Sequence, residues 1–144
     1  MEFASSCWDP AQKNLKISLE KVQNTAARFV SNFYPKKESQ RNYSITEIVQ
    51  KLGWESLEER RKKSKLVMAF KILNGHVILE PDLLPPKTFI QKTRNENRDQ
   101  LEVPFSKIDN AKKTFFYDVP SLWNSQISAE QANAPSIEAF KRRL

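Results

Sequence analysis

Apolar residues recur along the first part of the chain with helical spacing. Leu15, Leu19, Val22, Ala26, Phe29 and Phe33 follow one another at alternating steps of four and three, a stripe widened by Ala27 and Val30. Pro10 and Pro35 bracket the segment, and a proline inside a helix costs about 3 kcal/mol. The pattern therefore predicts a helix over about 11–33. Ser44-Ile45-Thr46-Glu47 reads as a capping box, the hydroxyl accepting from the Glu47 backbone N–H while the Glu47 side chain reaches back. Tyr43 and Ile48 suit a hydrophobic staple across it. Ile45, Ile48, Val49 and Leu52 carry a second helix over 44–52, which Gly53 ends. A second box, Ser56-Leu57-Glu58-Glu59, opens a third helix over 56–75. Its first half is charged; its second half, Leu66 to Leu73, is apolar on nearly every face and is expected to be surrounded by other elements. Short connections between the three predict a helical unit within residues 1–75.

Beyond Gly75 the periodicity breaks. Pro81, Pro85 and Pro86 interrupt the chain, and no helical period survives from 87 to 118. Thr88-Phe89-Ile90 and Leu101 to Phe105 suit short strands, with an exposed loop from Gln91 to Gln100. Two helical pieces follow, one near Val119 to Ser125 and one from Ser136 to Leu144. In the second, Ser136 is a cap, and Ile137, Phe140 and Leu144 share a face. The expected fold is mainly α: a three-helix unit (about 11–33, 44–52 and 56–75), then an irregular extension over 76–144 with short strands and a C-terminal helix.

Composition narrows the function classes. Two glycines against eight prolines argue against a β sandwich or a glycine-rich phosphate loop. No run of 18 apolar residues is present, so no membrane span is expected. The first residues lack a basic stretch followed by an apolar one, so a secreted protein is not expected. A single cysteine, Cys7, excludes an internal disulfide and suits a reducing intracellular compartment, nucleus or cytoplasm. With one histidine, His76, it cannot supply a four-ligand zinc site. The net charge of +7 is unevenly spread: residues 36–75 hold ten basic and five acidic groups, +5 of that excess. Such a concentration fits a surface facing a polyanion, although a solubility charge has the same look.

The chemistry-bearing residues sharpen this. A two-metal polymerase centre needs clustered aspartates. The five here, Asp9, Asp82, Asp99, Asp109 and Asp118, are isolated, and no aromatic is followed two residues later by Asp-Asp. No catalytic residue, metal ligand or small-molecule substrate is expected. Nothing near Cys7 or His76 suggests a nucleophile pair. Glu58 and Glu59 point about 100° apart on a helix and suit its N-terminus better than acid–base work. The run Arg60, Arg61, Lys62, Lys63 and Lys65 is the strongest signal. Pairs from Glu58 to Lys62 and from Glu59 to Lys63 would absorb two of these cations. Residues 58–65 still sum to +3, enough to follow a phosphate backbone without reading sequence. Residues 44–75 also have a helix-turn-helix look, but Glu55, Glu58 and Glu59 at the start of the second helix would meet phosphates badly. Trp8, Trp54, Phe115, Phe116, Tyr117 and Trp123 could stack bases, though aromatics at element ends are more often core anchors.

Five blocks in order carry a resemblance. Ala4-Ser5-Ser6-Cys7-Trp8-Asp9-Pro10 with Leu19-Glu20-Lys21-Val22-Gln23 and Ala26-Ala27-Arg28-Phe29 comes first. Leu52-Gly53-Trp54-Glu55-Ser56-Leu57-Glu58-Glu59-Arg60-Arg61, closed by Lys71-Ile72-Leu73-Asn74-Gly75, is the second. Lys113-Thr114-Phe115-Phe116, then Trp123-Asn124, then Ala134-Pro135-Ser136-Ile137-Glu138-Ala139-Phe140-Lys141 complete it. Together they resemble the region after the polymerase palm in jockey-like, LINE-type non-LTR retrotransposon reverse transcriptases. The resemblance implies that residues 11–75 correspond to a thumb gripping an RNA/DNA template–primer, and 76–144 to a C-terminal extension. It further implies that the catalytic aspartates, with their Mg²⁺, lie upstream in the remainder of the polymerase chain, so that this chain is a fragment without polymerase activity. Phosphate contacts are expected from Arg60, Arg61, Lys62, Lys63 and Lys65, with Arg28 on the first helix. The chain departs from the family where it has Asn24-Thr25, Tyr117-Asp118-Val119 and Gln126-Ile127. The other expectation is a helical interaction module or an inactive remnant, its Leu15 to Phe33 stripe lacking a cover.

Overall fold

The computed structural model describes residues 4–5, 9–10, 12–32, 44–78, 87–88, 100–101, 103–105, 107–108 and 114–144. Its elements are mostly helical: α1 (Lys13–Val30), α2 (Ile45–Lys51), α3 (Leu57–Leu73), two-residue strands β1 (Lys87–Thr88) and β2 (Gln100–Leu101), α4 (Phe115–Gln126), α5 (Ala129–Ala132) and α6 (Ile137–Arg142). The mainly-α expectation with a C-terminal helix holds. The strands pair antiparallel, Lys87 opposite Leu101 and Thr88 opposite Gln100. Tyr43, Phe33 and residues 91–99 of the loop expected from Gln91 to Gln100 lie outside the described residues, while Gln100 itself belongs to β2.

The chain divides into two compact units, one of Pro10–Arg60 and one of Met1–Asp9 with Arg61–Leu144. This corrects the boundary expected at residue 75. The apolar second half of α3 is the physical reason, because it shares one core with the C-terminal helices. Leu66, Ala69 and Phe70 of α3 bury against Leu101, Val119, Trp123, Ile127 and Phe140. Phe140 stacks on Phe70 with ring centroids 4.3 Å apart and on Trp123 at 5.8 Å. Each such side chain contributes about 1.5–3 kcal/mol through burial, so these rings anchor the larger unit. Ser136 caps α6 as expected, accepting from the Ala139 N–H at 3.1 Å. Asn124 on α4 holds β2 from both sides, donating to the Leu101 carbonyl and accepting from the Leu101 N–H, each at 2.8 Å.

α4 starts four residues earlier than its expected beginning at Val119 and takes Pro120 into its interior. The ring removes one backbone donor, but Pro120 is fully buried in the core, and that burial offsets the missing bond. Ser128 and Gln131 form a complete capping box on α5 that the apolar pattern did not signal.

In the smaller unit α1 packs on α2. The covered face of α1 takes in only one edge of its apolar stripe, at Leu19 and Ala27. Gln23 and Ala27 are buried, while Leu15, Val22 and Phe29 remain 48%, 49% and 72% exposed. Hydrogen bonds explain the choice of face. Gln23 Nε2 donates to the Glu55 carbonyl at 2.8 Å, and Glu20 Oε1 accepts from the Glu58 N–H at 3.1 Å. Glu20 thus supplies a carboxylate to the N-terminus of α3, where the helix dipole favours it. Lys16 pairs with Glu58 at 3.4 Å. At Ser44 the expected side-chain cap does not form; at Ser56 the hydroxyl does accept from the Glu59 N–H at 3.1 Å. Gly53 and Gly75 terminate α2 and α3 with φ of 65° and 73°, the left-handed conformation that glycine adopts without a Cβ clash.

Candidate nucleic-acid interface

α3 buries a line of positions four residues apart: Leu57, Arg61, Lys65 and Ala69. Side chains at i and i+4 share a helix face, so two of the expected phosphate contacts stand on the same inward line as two apolar residues. Arg61 and Lys65 are 4% and 3% exposed. This corrects the expectation that the whole run from Arg60 to Lys65 faces outward. Their charges are met internally. Asp9 accepts from Arg61 Nε at 2.9 Å and from Lys65 Nζ at 2.8 Å, and Asp118 accepts from Lys65 Nζ at 2.6 Å.

The cluster holds two cations and two carboxylates. Burial by itself would lower the Lys65 pKa, but the hydrogen bonds and charges of Asp118 and Asp9 outweigh it and hold the ammonium above its ordinary 10.5. Arg61 Nη2 is buried without a hydrogen-bond partner, a cost the rest of the cluster must offset. Asp9 and Asp118, far apart in sequence, are thus brought together as counter-ions. Each already faces an ammonium or guanidinium, which opposes their use as a pair of metal ligands. Among the described residues no cluster of three or more His, Cys, Asp or Glu could hold a metal ion. His76 is exposed, and Cys7 lies outside the described residues.

The other expected contacts differ. Arg60 is exposed, and Lys62 and Lys63 are half-buried. Arg28 is exposed in the last turn of α1, in the smaller unit. Among the aromatics, Trp123 is a core residue, 1% exposed, which excludes it from base stacking. Phe115 packs against the same core and meets Phe116 edge-on at 5.3 Å.

The larger unit adds cations that the run did not include. A cavity of about 520 Å³ opens beside α3 and α6. Lys63 and Lys71 line it from α3 and Lys141 from α6, over apolar surface from Val67, Met68 and Leu144. Lys63, Val67 and Lys71 follow one another at i, i+4 and i+8, a line about 12 Å long on the helix. The sequence carried a signal for Lys63 and Lys71 in this spacing, but none for Lys141, which only the tertiary packing of α6 places. Among the described residues no helix is long and apolar enough to cross a membrane. No family model, curated protein or solved structure matches the chain.

Proposed function

We propose that this chain is the template–primer-gripping, thumb-side part of a jockey-like non-LTR retrotransposon reverse transcriptase, without polymerase chemistry of its own. The observation that carries the reading is the succession of five motif blocks in the family's order over almost the whole chain. In this reading the two Mg²⁺ ions and their aspartates belong to the rest of the polymerase, inside the cell.

The arrangement of charge supports a contact with nucleic-acid backbone. Ammonium and guanidinium groups on a helix meet phosphates without sequence readout, and Arg60, Lys62 and Lys63 follow one another along α3 with at least partial access to solvent. Arg61 and Lys65 are withdrawn from that role and fix the helix instead. The number of phosphates engaged through α3 then falls to about three, and the slope of log K against log salt to roughly −3 for a duplex. Titration of a labelled RNA–DNA hybrid at several salt concentrations tests this. A slope near −3 supports the reading; absence of binding at low salt overturns it.

A second reading has its own observation. The α1 stripe repeats every seven residues at Leu15, Val22 and Phe29, and all three are exposed. A seam of that period suits packing against another helix, so a helical interaction module is the alternative. Light scattering on the eluting protein separates the two: a monomer at high concentration counts against the interaction module.

A further inference from the structure

We propose that Asn74-Gly75, the pair that ends α3, is a site of spontaneous deamidation whose rate is set by opening of the helix end. Of the asparagines in the chain only Asn74 precedes a glycine. The backbone nitrogen after an asparagine can attack the side-chain carbonyl carbon and close a five-membered ring, and a glycine there presents no Cβ to crowd the approach. Gly75 has the left-handed φ of 73°, nothing lies within 4 Å of where a Cβ would stand, and Asn74, Gly75 and His76 are all exposed. Solvent water therefore reaches both reacting groups. In the reaction the Gly75 nitrogen gives up its proton to solvent and bonds to Asn74 Cγ, and the side-chain nitrogen leaves as ammonia. Water then opens the succinimide at either carbonyl, leaving aspartate or a β-linked isoaspartate at position 74. No oxidant or other reactant is needed.

Two hydrogen bonds hold the folded chain back from ring closure. Asn74 Nδ2 donates to the Phe70 carbonyl at 2.8 Å, and the Gly75 N–H donates to the Ile72 carbonyl at 3.1 Å. The first keeps the side chain turned back along the helix; the second holds the proton that the nucleophile must lose. Both belong to the last turn, where the His76 N–H also donates to the Lys71 carbonyl at 2.8 Å. Helix ends open far more often than the core they adjoin, so the reaction samples each opening of this turn without unfolding of the core around Phe70. The product does not close the turn again. A carboxylate at position 74 has no donor for the Phe70 carbonyl, and its charge is unfavourable at the negative end of the helix dipole. The β linkage adds a methylene to the backbone and displaces Gly75 from its cap. Deamidation thus loosens the end of α3 irreversibly, next to a ring that anchors the larger unit.

The test incubates the full chain, folded and in urea, at mildly alkaline pH and follows Asn74 by peptide mass mapping with isoaspartyl methyltransferase labelling. In urea Asn74 is expected to convert faster than every other asparagine. In the folded chain its conversion is expected to be about tenfold slower but still to proceed. His76→Pro removes one N–H of the turn and disfavours the backbone conformation that the cap requires of the preceding residue. Its folded rate should therefore rise toward the unfolded one, while circular dichroism shows the helices retained. Asn74→Asp reproduces one product, and its His76 amide should exchange hydrogen about fivefold faster than in the parent. An Asn74 rate in urea no greater than that of the other asparagines overturns the site, and so does a folded chain that stays unmodified while the unfolded chain is fully converted. Equal folded and unfolded rates, or a His76→Pro rate that stays at the folded parent's, overturns control by the helix end. Parental exchange at His76 in Asn74→Asp overturns the loosening.

Discussion

Replacing Asp9 with asparagine isolates the interaction that redirects Arg61 and Lys65 inward. Asp9 is 13% exposed in its side chain and bridges two cations that are each 4% exposed there. The substitution keeps the shape and leaves an amide oxygen for one hydrogen bond, but removes the carboxylate charge. Lys65 retains Asp118, whose side chain is 42% exposed and so interacts through a more screened medium. Arg61 retains no carboxylate among the described residues. Removing one member of a buried pair costs about 3–5 kcal/mol; with Asp118 still in place and the amide accepting, the expected loss is at the lower end, about 3 kcal/mol. Urea denaturation followed by circular dichroism measures it. Adding Arg61→Met to Asp9→Asn removes the orphaned cation, and stability should recover to within about 1 kcal/mol of the parent. A loss below about 0.5 kcal/mol for Asp9→Asn, typical of a surface substitution, would refute the buried-cluster argument.

Other consequences follow from the same core and cluster. Phe140→Ala removes the ring sandwiched between Phe70 and Trp123 and should cost about 3–5 kcal/mol, read from the same denaturation curves. Asn124→Ala breaks both bonds to Leu101, and hydrogen exchange should show faster exchange of the Leu101 amide with the helices unchanged. The folded-state pKa of Lys65 lies above 10.5, so its contribution is complete below the unfolded value and is lost as pH rises through the folded one. The stability gap between the parent and Lys65→Met should therefore shrink at alkaline pH and stay constant from neutrality to about pH 10.

The helices were legible because apolar spacing and caps agree over long segments. α1, α2 and α3 lie within the segments predicted for them, and Ser136 and the two glycines mark ends that the structure keeps. Two kinds of information were not legible. Periodicity finds an apolar stripe but does not say what meets it, and in α1 polar bonds from Glu20 and Gln23 bury the neighbouring face instead. Charge runs invite an outward reading, yet the spacing Leu57, Arg61, Lys65, Ala69 places two cations on a buried line. Recognising that required counter-ions 52 to 56 residues away in sequence, which local pattern cannot supply. Lys141 joins Lys63 and Lys71 for the same non-local reason.

The claim that the accessible α3 cations, and not the buried ones, grip nucleic acid is tested most directly by changing Arg60, Lys62 and Lys63 together to glutamine and measuring hybrid affinity across salt. The expected result is a folded protein with stability within about 1 kcal/mol of the parent, much weaker binding at low salt, and a slope shallower by about 0.9 for each phosphate no longer neutralised. Parental affinity with an unchanged slope would contradict it.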